Sequence, residues 1–383
     1  MPELVALDLP GGAGFVDALR AVWDTGDAAA PLDPRLPERA RSALLRALRP
    51  TRIVGSDGEL RRVADGLGVD EGDALVLATS GSSGEPRGVV LTHDAVGASA
   101  RATSSRLGVD PGRHAWLACL PLAHVGGLSV VTRAILTDTP LTVLPGFEAE
   151  VVEELGRSGT ATHTSLVTTG LRRIDPTAFT CILLGGSGLP EGRAANVVAT
   201  YGMTETGSGV VYDGVPLDDV EIALAHFEDE DDGEDGEILL RAPMLLRCYR
   251  DGADGRVTGP DGRHDWFATG DAGYVNDDGT LGVRGRVAEV IVTGGEKVWP
   301  DAVERVLTTH PGVTEVAVWK RDDPEWGERV VAWVVSPDPA PAAEELVELV
   351  KASLAPWAAP KDIVFTTALP RLASGKVRRS DLR

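Results

Sequence analysis

The stretch LATSGSSGEPRGVVLTH (77–93) decides how this chain is read: an apolar run leads into a loop of hydroxyls and glycines, Thr79, Ser80, Gly81, Ser82, Ser83 and Gly84, which closes on Arg87. Glycines let consecutive backbone amides approach a ligand closely, and amides with hydroxyls make a cradle for phosphate oxygens. Arg87 would supply charge. An ordinary polar turn has a similar composition, so the loop alone marks a candidate phosphate site rather than a function. It is not a P-loop. Gly-x-x-x-x-Gly-Lys-Ser/Thr occurs nowhere, and the nearest segment, SGKV at 374–377, has Val377 where the magnesium-binding hydroxyl belongs.

Outward from this loop, short apolar runs alternate with longer amphipathic stretches. ALVLAT (74–79), HAWLACLP (114–121), PLTVLP (140–145), CILLGGS (181–187) and NVVATYG (196–202) are expected strands of an α/β sheet buried on both faces. Residues 94–107 and 151–159 are expected helices, the second closed by Gly159 after a basic turn. From about residue 236 the texture becomes strand and turn, with a hairpin signal at Asp278-Gly279. After Gly285-Arg286 the pattern is helix (300–310), strands (314–321 and 328–336), helix (343–354) and a short strand (363–369). The expected architecture is thus multidomain, α/β with α+β: a large N-terminal domain over 1–285, with sheets flanked by helices and a β-rich subdomain at about 236–285, and a small α+β domain over 286–383.

Composition narrows the function classes. The chain has 383 residues, 43% of them hydrophobic, enough for large buried cores. A net charge of -21 repels nucleic acid and anionic lipid surfaces. Much of the acid sits in EDEDDGEDGE (228–237), which reads as a solvated loop and lacks EF-hand spacing. Every lysine (Lys297, Lys320, Lys351, Lys361 and Lys376) lies late in the chain, a hint of a domain boundary. Cys119, Cys181 and Cys248 offer neither zinc spacing nor a disulfide framework and point to a reducing cytoplasm. The N-terminal stretch carries acids early and no long apolar run, so neither export nor membrane insertion is expected.

Order along the chain gives the loop its meaning. TSGSSGEPRG resembles the phosphate loop of the adenylate-forming superfamily, the acyl- and aryl-CoA synthetases and their relatives. YGMTETG (201–207), WFATGDAGYV (266–275), GRVAEVIVTGGEKVWPDAVE (285–304) and PRLASGKVRR (370–379) resemble four further motifs in the family's order. The resemblance runs from about residue 74 to the end of the chain, while the first 70 residues match only as an abbreviated N-terminal region. It implies the adenylate-forming fold with a small mobile C-terminal domain. It also implies a reaction in which a carboxylate attacks the α-phosphorus of ATP, pyrophosphate leaves, and a thiol, that of CoA, attacks the acyl adenylate.

By that resemblance Tyr201 stacks on adenine, with Gly202 beside it, while Gly185, Gly186 and Ser187 line the base. Thr204 meets the α-phosphate and Glu205 helps hold Mg²⁺. Asp271 accepts from the ribose hydroxyls, Arg286 reaches ribose or phosphates, and Lys376 bridges the attacking carboxylate and the α-phosphate. Gly294 and Gly295 lie on the CoA path. Two positions depart from the family pattern. Arg87 stands where lysine is usual, a planar fork in place of a compact ammonium, and Ala288 stands at the hinge, where Asp or Lys is usual. LPLAHVGGLS (120–129), THTSLVTTGLRRI (162–174) and GGEKVWP (294–300) look like segments of o-succinylbenzoate–CoA ligases, a branch of menaquinone biosynthesis. His124, Ser165, Thr168 and Thr169 are then candidates for the acid pocket. Two other readings stay open, a different aryl- or acyl-acid ligase acting on benzoates or fatty acids, and a non-catalytic nucleotide-binding protein. Self-association also stays open.

Overall fold

The computed structural model describes residues 1–80, 86–186, 192–227, 235–371 and 377–382. By packing, the chain divides into two compact units. One comprises Met1–Ala223, Leu240–Ala268 and Asp277–Leu281; the other comprises Leu224–Leu239, Thr269–Asn276 and Gly282–Arg383.

The first unit is built on two seven-stranded sheets. One orders Cys248–Tyr249, Pro86–Thr92, Asp73–Ser80, Ala28–Pro31, Leu4–Leu7, Arg52–Val54 and Leu60–Arg62. Its middle strands are parallel, whereas Asp73–Ser80 and Pro86–Thr92 form an antiparallel pair across the candidate phosphate loop. The other orders Val215–Pro216, Ser208–Tyr212, Val197–Met203, Cys181–Gly185, His163–Val167, Trp116–Ala118 and Leu141–Val143. From Val197–Met203 to Leu141–Val143 it is wholly parallel. Each of the five expected strands is present, trimmed or extended by a residue or more at its ends.

The helix His93–Leu107 touches both sheets and the neighbouring helix Val125–Leu136. Its sequence explains how it can. Ala95, Gly97, Ser99, Ala100, Ala102 and Thr103 are all buried, and such small side chains let backbone layers approach from more than one side. It begins on a hydroxyl cap, Thr92 Oγ1 accepting from the Ala95 amide, and ends at Gly108 in the left-handed region. The expected helix at 151–159 is Ala149–Arg157, with Gly159 at φ 73° just beyond it.

A third sheet orders Glu221–His226, Gly236–Arg241, Trp266–Val275 and Arg256–Val257, with Leu281–Arg286 also on Trp266–Val275. The expected hairpin is therefore present. Its turn is held by Asp278 Oδ1, which accepts from the amide and hydroxyl of Thr280 at 3.0 and 2.6 Å. The second unit also carries a five-stranded sheet, Glu296–Val298, Ile291–Thr293, Gly327–Val335 and Glu315–Asp323, with Asp362–Thr366 on Gly327–Val335. Helices Pro300–Thr308 and Ala343–Ser353 close one face over Ile291, Val303, Leu307, Val330, Leu346 and Val350. Leu369, Leu382 and Val377 pack on Ala317, Val331 and Trp333 of the other. Among the described residues no helix is long and apolar enough to cross a membrane.

Candidate active site

In the first unit the candidates gather where chain direction puts them. Strands Trp116–Ala118, His163–Val167, Cys181–Gly185 and Val197–Met203 run parallel, so their C-terminal ends share one edge, and ligands of parallel α/β sheets bind outside that edge. Past the first of these strands stands His124, exposed, its carbonyl accepting from the amides of Gly127 and Leu128 as the helix starts. Ser165 lies half-buried within the second, and Thr168 and Thr169 open the short helix that follows it. Gly185 ends the third, with Gly186 next. The fourth carries Tyr201 and Gly202 and runs into the turn Thr204–Thr206.

That turn is shaped by its own side chains. The hydroxyl of Thr206, fully buried, accepts from the Met203 amide at 2.9 Å and lies within hydrogen-bond reach of the Met203 and Ser208 carbonyls. Gly202 faces Gly209 across an irregularity in the strand pair, and a β-carbon there would sit 2.3 Å from the Ser208 carbonyl oxygen. The glycine of the motif is thus a steric demand of the bulge. The turn touches both Asp73–Ser80 and Pro86–Thr92. Across those strands Thr79 and Arg87 are direct partners.

Around Glu205 the structure assembles groups that the sequence reading did not single out. Tyr249 donates its hydroxyl to Glu205 Oε1 at 3.1 Å. Arg87 stacks its guanidinium 3.6 Å from the centre of the Tyr249 ring and donates to both oxygens of Asp251, at 2.8 and 3.0 Å. Burial, and then the Glu205 charge, hold the Tyr249 phenol well above its ordinary value, so it stays a donor. Asp251 is held below the usual carboxylate range by its hydrogen bonds from Arg87. No group of three or more His, Cys, Asp or Glu residues is arranged as a metal cage among the described residues. A single carboxylate with neighbouring hydroxyls suits a magnesium ion that arrives with phosphate and water oxygens as its other ligands. Cys119 and Cys181 are buried thiols pushed up to about 11 by desolvation, which removes them as nucleophiles.

The second unit holds its own group. Asp271, on Trp266–Val275, is 7% exposed and pairs with Arg286 Nε at 2.9 Å. Arg286 also donates to the Thr269 carbonyl at 3.1 Å, while Thr269 accepts from the Asp271 amide and donates to the Ile238 carbonyl. Ala288 is the middle residue of the turn Val287–Glu289. Gly294 and Gly295, at φ 61° and 89°, form the two-residue turn between Ile291–Thr293 and Glu296–Val298, a geometry that demands positive φ at both positions. Two acids of the expected solvated loop are committed instead. Asp235 pairs with Arg284, and Glu237 accepts from the Gly270 amide at 2.9 Å. Gly81, Ser82, Ser83, Gly84, Ser187 and Lys376 lie outside the described residues, as do residues 228–234 and the Ser80 side chain.

The family model for AMP-binding enzymes matches residues 64–250, and the model for the AMP-binding enzyme C-terminal domain matches residues 302–376. A 2-succinylbenzoate–CoA ligase from Bacillus cytotoxicus is 34% identical over 342 residues, 80% of this chain and 69% of that protein. This chain belongs to the AMP-binding enzyme family. A Mycobacterium tuberculosis protein named "Probable 2-succinylbenzoate--CoA ligase" is 38% identical over 338 residues, 82% of this chain and 85% of its own length. Among solved structures, o-succinylbenzoate CoA synthetase from Bacillus subtilis, in complex with its acyl-adenylate intermediate, superposes with a TM-score of 0.86 at 27% identity, over 100% of this chain and 88% of that one. The same enzyme has been solved with ATP and magnesium, at a TM-score of 0.85 and 27% identity, over 99% of this chain and 89% of that one. The adenylate-forming fold expected from the motifs is the fold observed.

Proposed function

We propose that this chain is an ATP-dependent acid–CoA ligase acting on o-succinylbenzoate, converting the acid, ATP and CoA into o-succinylbenzoyl-CoA, AMP and pyrophosphate through an acyl adenylate, in menaquinone biosynthesis. The observation that carries the reading is topological. The segments resembling the acid pocket (His124, Ser165, Thr168, Thr169) and those resembling the nucleotide site (Gly185, Gly186, Tyr201, Thr204, Glu205) occupy the same edge of one parallel sheet. The relatives named above supply the identity of the acid.

In this reading the protein positions reactants and neutralises charge, the main tasks in a phosphoryl-centred substitution. Tyr201 stacks on the base, and Asp271, oriented by Arg286, takes the ribose hydroxyls. Thr204 and Arg87, with the amides and hydroxyls of residues 79–84, surround the phosphates. Glu205 would hold Mg²⁺, which when bound offsets phosphate charge. Lys376 holds the attacking carboxylate oxygen against the α-phosphorus; the oxygen–phosphorus bond forms as the bond to pyrophosphate breaks. The CoA thiol then loses its proton and attacks the acyl carbon, expelling AMP. Residues 286–383 form the moving C-terminal part, turning about Ala288, and CoA enters past Gly294 and Gly295. We read the chain as cytoplasmic, a reading supported by substrates of this kind and by three free cysteines.

The test is pyrophosphate release with o-succinylbenzoate, simple benzoates and fatty acids, with and without CoA. Turnover should be strongest with o-succinylbenzoate, and thioester should appear only when CoA is present. Robust turnover of benzoates with none of o-succinylbenzoate would overturn the choice of acid.

A further inference from the structure

We infer that Tyr249 and Asp251 are positioning residues that hold Glu205 and Arg87 in register for the metal–nucleotide complex, an inference that rests on the ligase reading above. Strand pairing builds the arrangement. Tyr249 lies opposite Val89 and Cys248 opposite Val90, and the Arg250 amide donates to the Gly88 carbonyl at 2.8 Å. Continuing that antiparallel register sets Asp251 opposite Arg87, and period-two alternation puts Arg87, Asp251 and Tyr249 on one face. Asp251 is fixed from its own side as well, accepting the Ala253 amide at 3.1 Å.

The chemistry explains the departure at position 87. A guanidinium is flat and forked, so it can bond both oxygens of Asp251 while its face lies on the Tyr249 ring; an ammonium can do neither in this way. The stacked ring is thereby held with its hydroxyl on Glu205 Oε1. Tyr249 occupies one oxygen of the carboxylate and fixes its rotation, so the other is presented in a defined direction. Hydrogen-bond partners of metal-holding carboxylates act in this way. The turn at Glu205 is tied to the same segment through its backbone, since its carbonyl accepts from the Leu246 amide at 2.7 Å.

The experiment titrates Mn²⁺–ATP into the native chain, Tyr249→Phe and Asp251→Asn, reading bound manganese by electron paramagnetic resonance. AMP binding by calorimetry is the control. Tyr249→Phe should bind Mn²⁺–ATP about tenfold more weakly, and Asp251→Asn should show a smaller loss in the same direction. AMP affinity should stay within about twofold of native in both. The double variant should lose less than the product of the two single losses, because Asp251 acts in part through the Tyr249 ring. Variants that bind Mn²⁺–ATP like the native chain, while the native chain releases pyrophosphate, overturn this inference and leave the ligase reading standing. AMP affinity falling in parallel with Mn²⁺–ATP affinity overturns it too, since that marks a general structural role. A native chain that neither binds Mn²⁺–ATP nor releases pyrophosphate with any acid overturns both.

Discussion

Among the described residues of the first unit the most deeply buried cation is Arg133, 1% exposed, and no described carboxylate bonds it. Its Nη2 donates to Ser208 Oγ at 3.0 Å and its guanidinium lies 4.7 Å from the Trp116 ring centre, while Nε and Nη1 have no hydrogen-bond partner among the described residues. In the second unit Arg379 meets three carboxylates, donating to Glu289 at 2.7 Å, Asp301 at 2.9 Å and Glu304 at 2.9 and 3.1 Å. Each solution leaves an ionisable neighbour displaced. Burial, then His114 and Arg133, push His163 down to about 4. Burial, reinforced by Asp301 and opposed by Arg379, pushes Glu304 up to about 7. One unit therefore keeps a neutral imidazole in its interior, and the other holds a carboxyl whose proton is retained to higher pH because burial, reinforced by Asp301, outweighs the Arg379 charge beside it. The second cluster also ties the segment carrying the lysine motif to Glu289, the residue after the proposed hinge. Beside the proposed hinge at Ala288, which has no polar side chain, Glu289 makes this contact instead.

The largest expected effect concerns the division of chemistry between the two parts of the chain. Lys376→Ala should slow adenylation by roughly 10²- to 10³-fold, while CoA attack on preformed acyl adenylate stays much closer to native. Stopped-flow measurement of each half-reaction checks this, and equal losses in both would remove the assigned role. Next comes Arg379→Met, which strands three carboxylates and should cost about 3 kcal/mol in denaturant unfolding. A loss well below 1 kcal/mol would show that the acids rearrange or take up protons without penalty.

The two units should also answer pH in opposite directions. Unfolded chain protonates His163 near about 6.5, whereas folded chain resists until about 4. The unfolded state thus binds more protons in that window, and the first unit loses stability as pH falls through it. Folded chain keeps the Glu304 proton up to about 7, against an ordinary value of 4.5, so the second unit loses stability as pH rises from 4.5 to 7. Hydrogen exchange on peptides covering 160–167 and 300–318 should show opposed slopes, and Glu304→Gln should flatten the second alone. Parallel slopes would contradict the contrast. The smallest effect is expected at Arg133, where Met would fill the volume without a buried charge. Arg133→Met should be neutral or more stable by about 1 kcal/mol. A loss of several kcal/mol in thermal unfolding would mean that the cation has a partner it needs.

Elements whose apolar runs are short and bounded were legible, and so was every motif that is local in sequence. The strand 73–80, the helix 93–107 and the C-terminal order of helices and strands all followed from periodicity. The first 70 residues were not read as structure, yet they supply four strands and two helices, Ala13–Asp24 and Glu38–Leu48. Their strands are three or four residues long, too short to show a period, and gain their order from pairing with neighbours. Helix Val125–Leu136 was hidden by VGGLSVV, whose paired glycines weaken a helical reading although Gly127 packs against the Leu120 and Pro121 carbonyls. Tyr249 and Asp251 escaped notice because Arg87 lies 164 residues from its acid. An arginine where lysine is usual, with Tyr-x-Asp elsewhere in the chain, was the only signal available.

The sequence by itself determined the family: the order of five motifs, the residue types proposed for phosphate, ribose and carboxylate, and the two departures at Arg87 and Ala288. Tertiary structure decided how those types are used. Parallel strand direction brought His124, Thr168, Gly185 and Tyr201 to one edge, antiparallel register set Asp251 against Arg87, and a side-chain hydrogen bond joined Tyr249 to Glu205. The reason is physical. A motif records what a side chain can donate or accept, while the direction it points and the partner that holds it come from hydrogen-bonded registers between segments far apart in the chain.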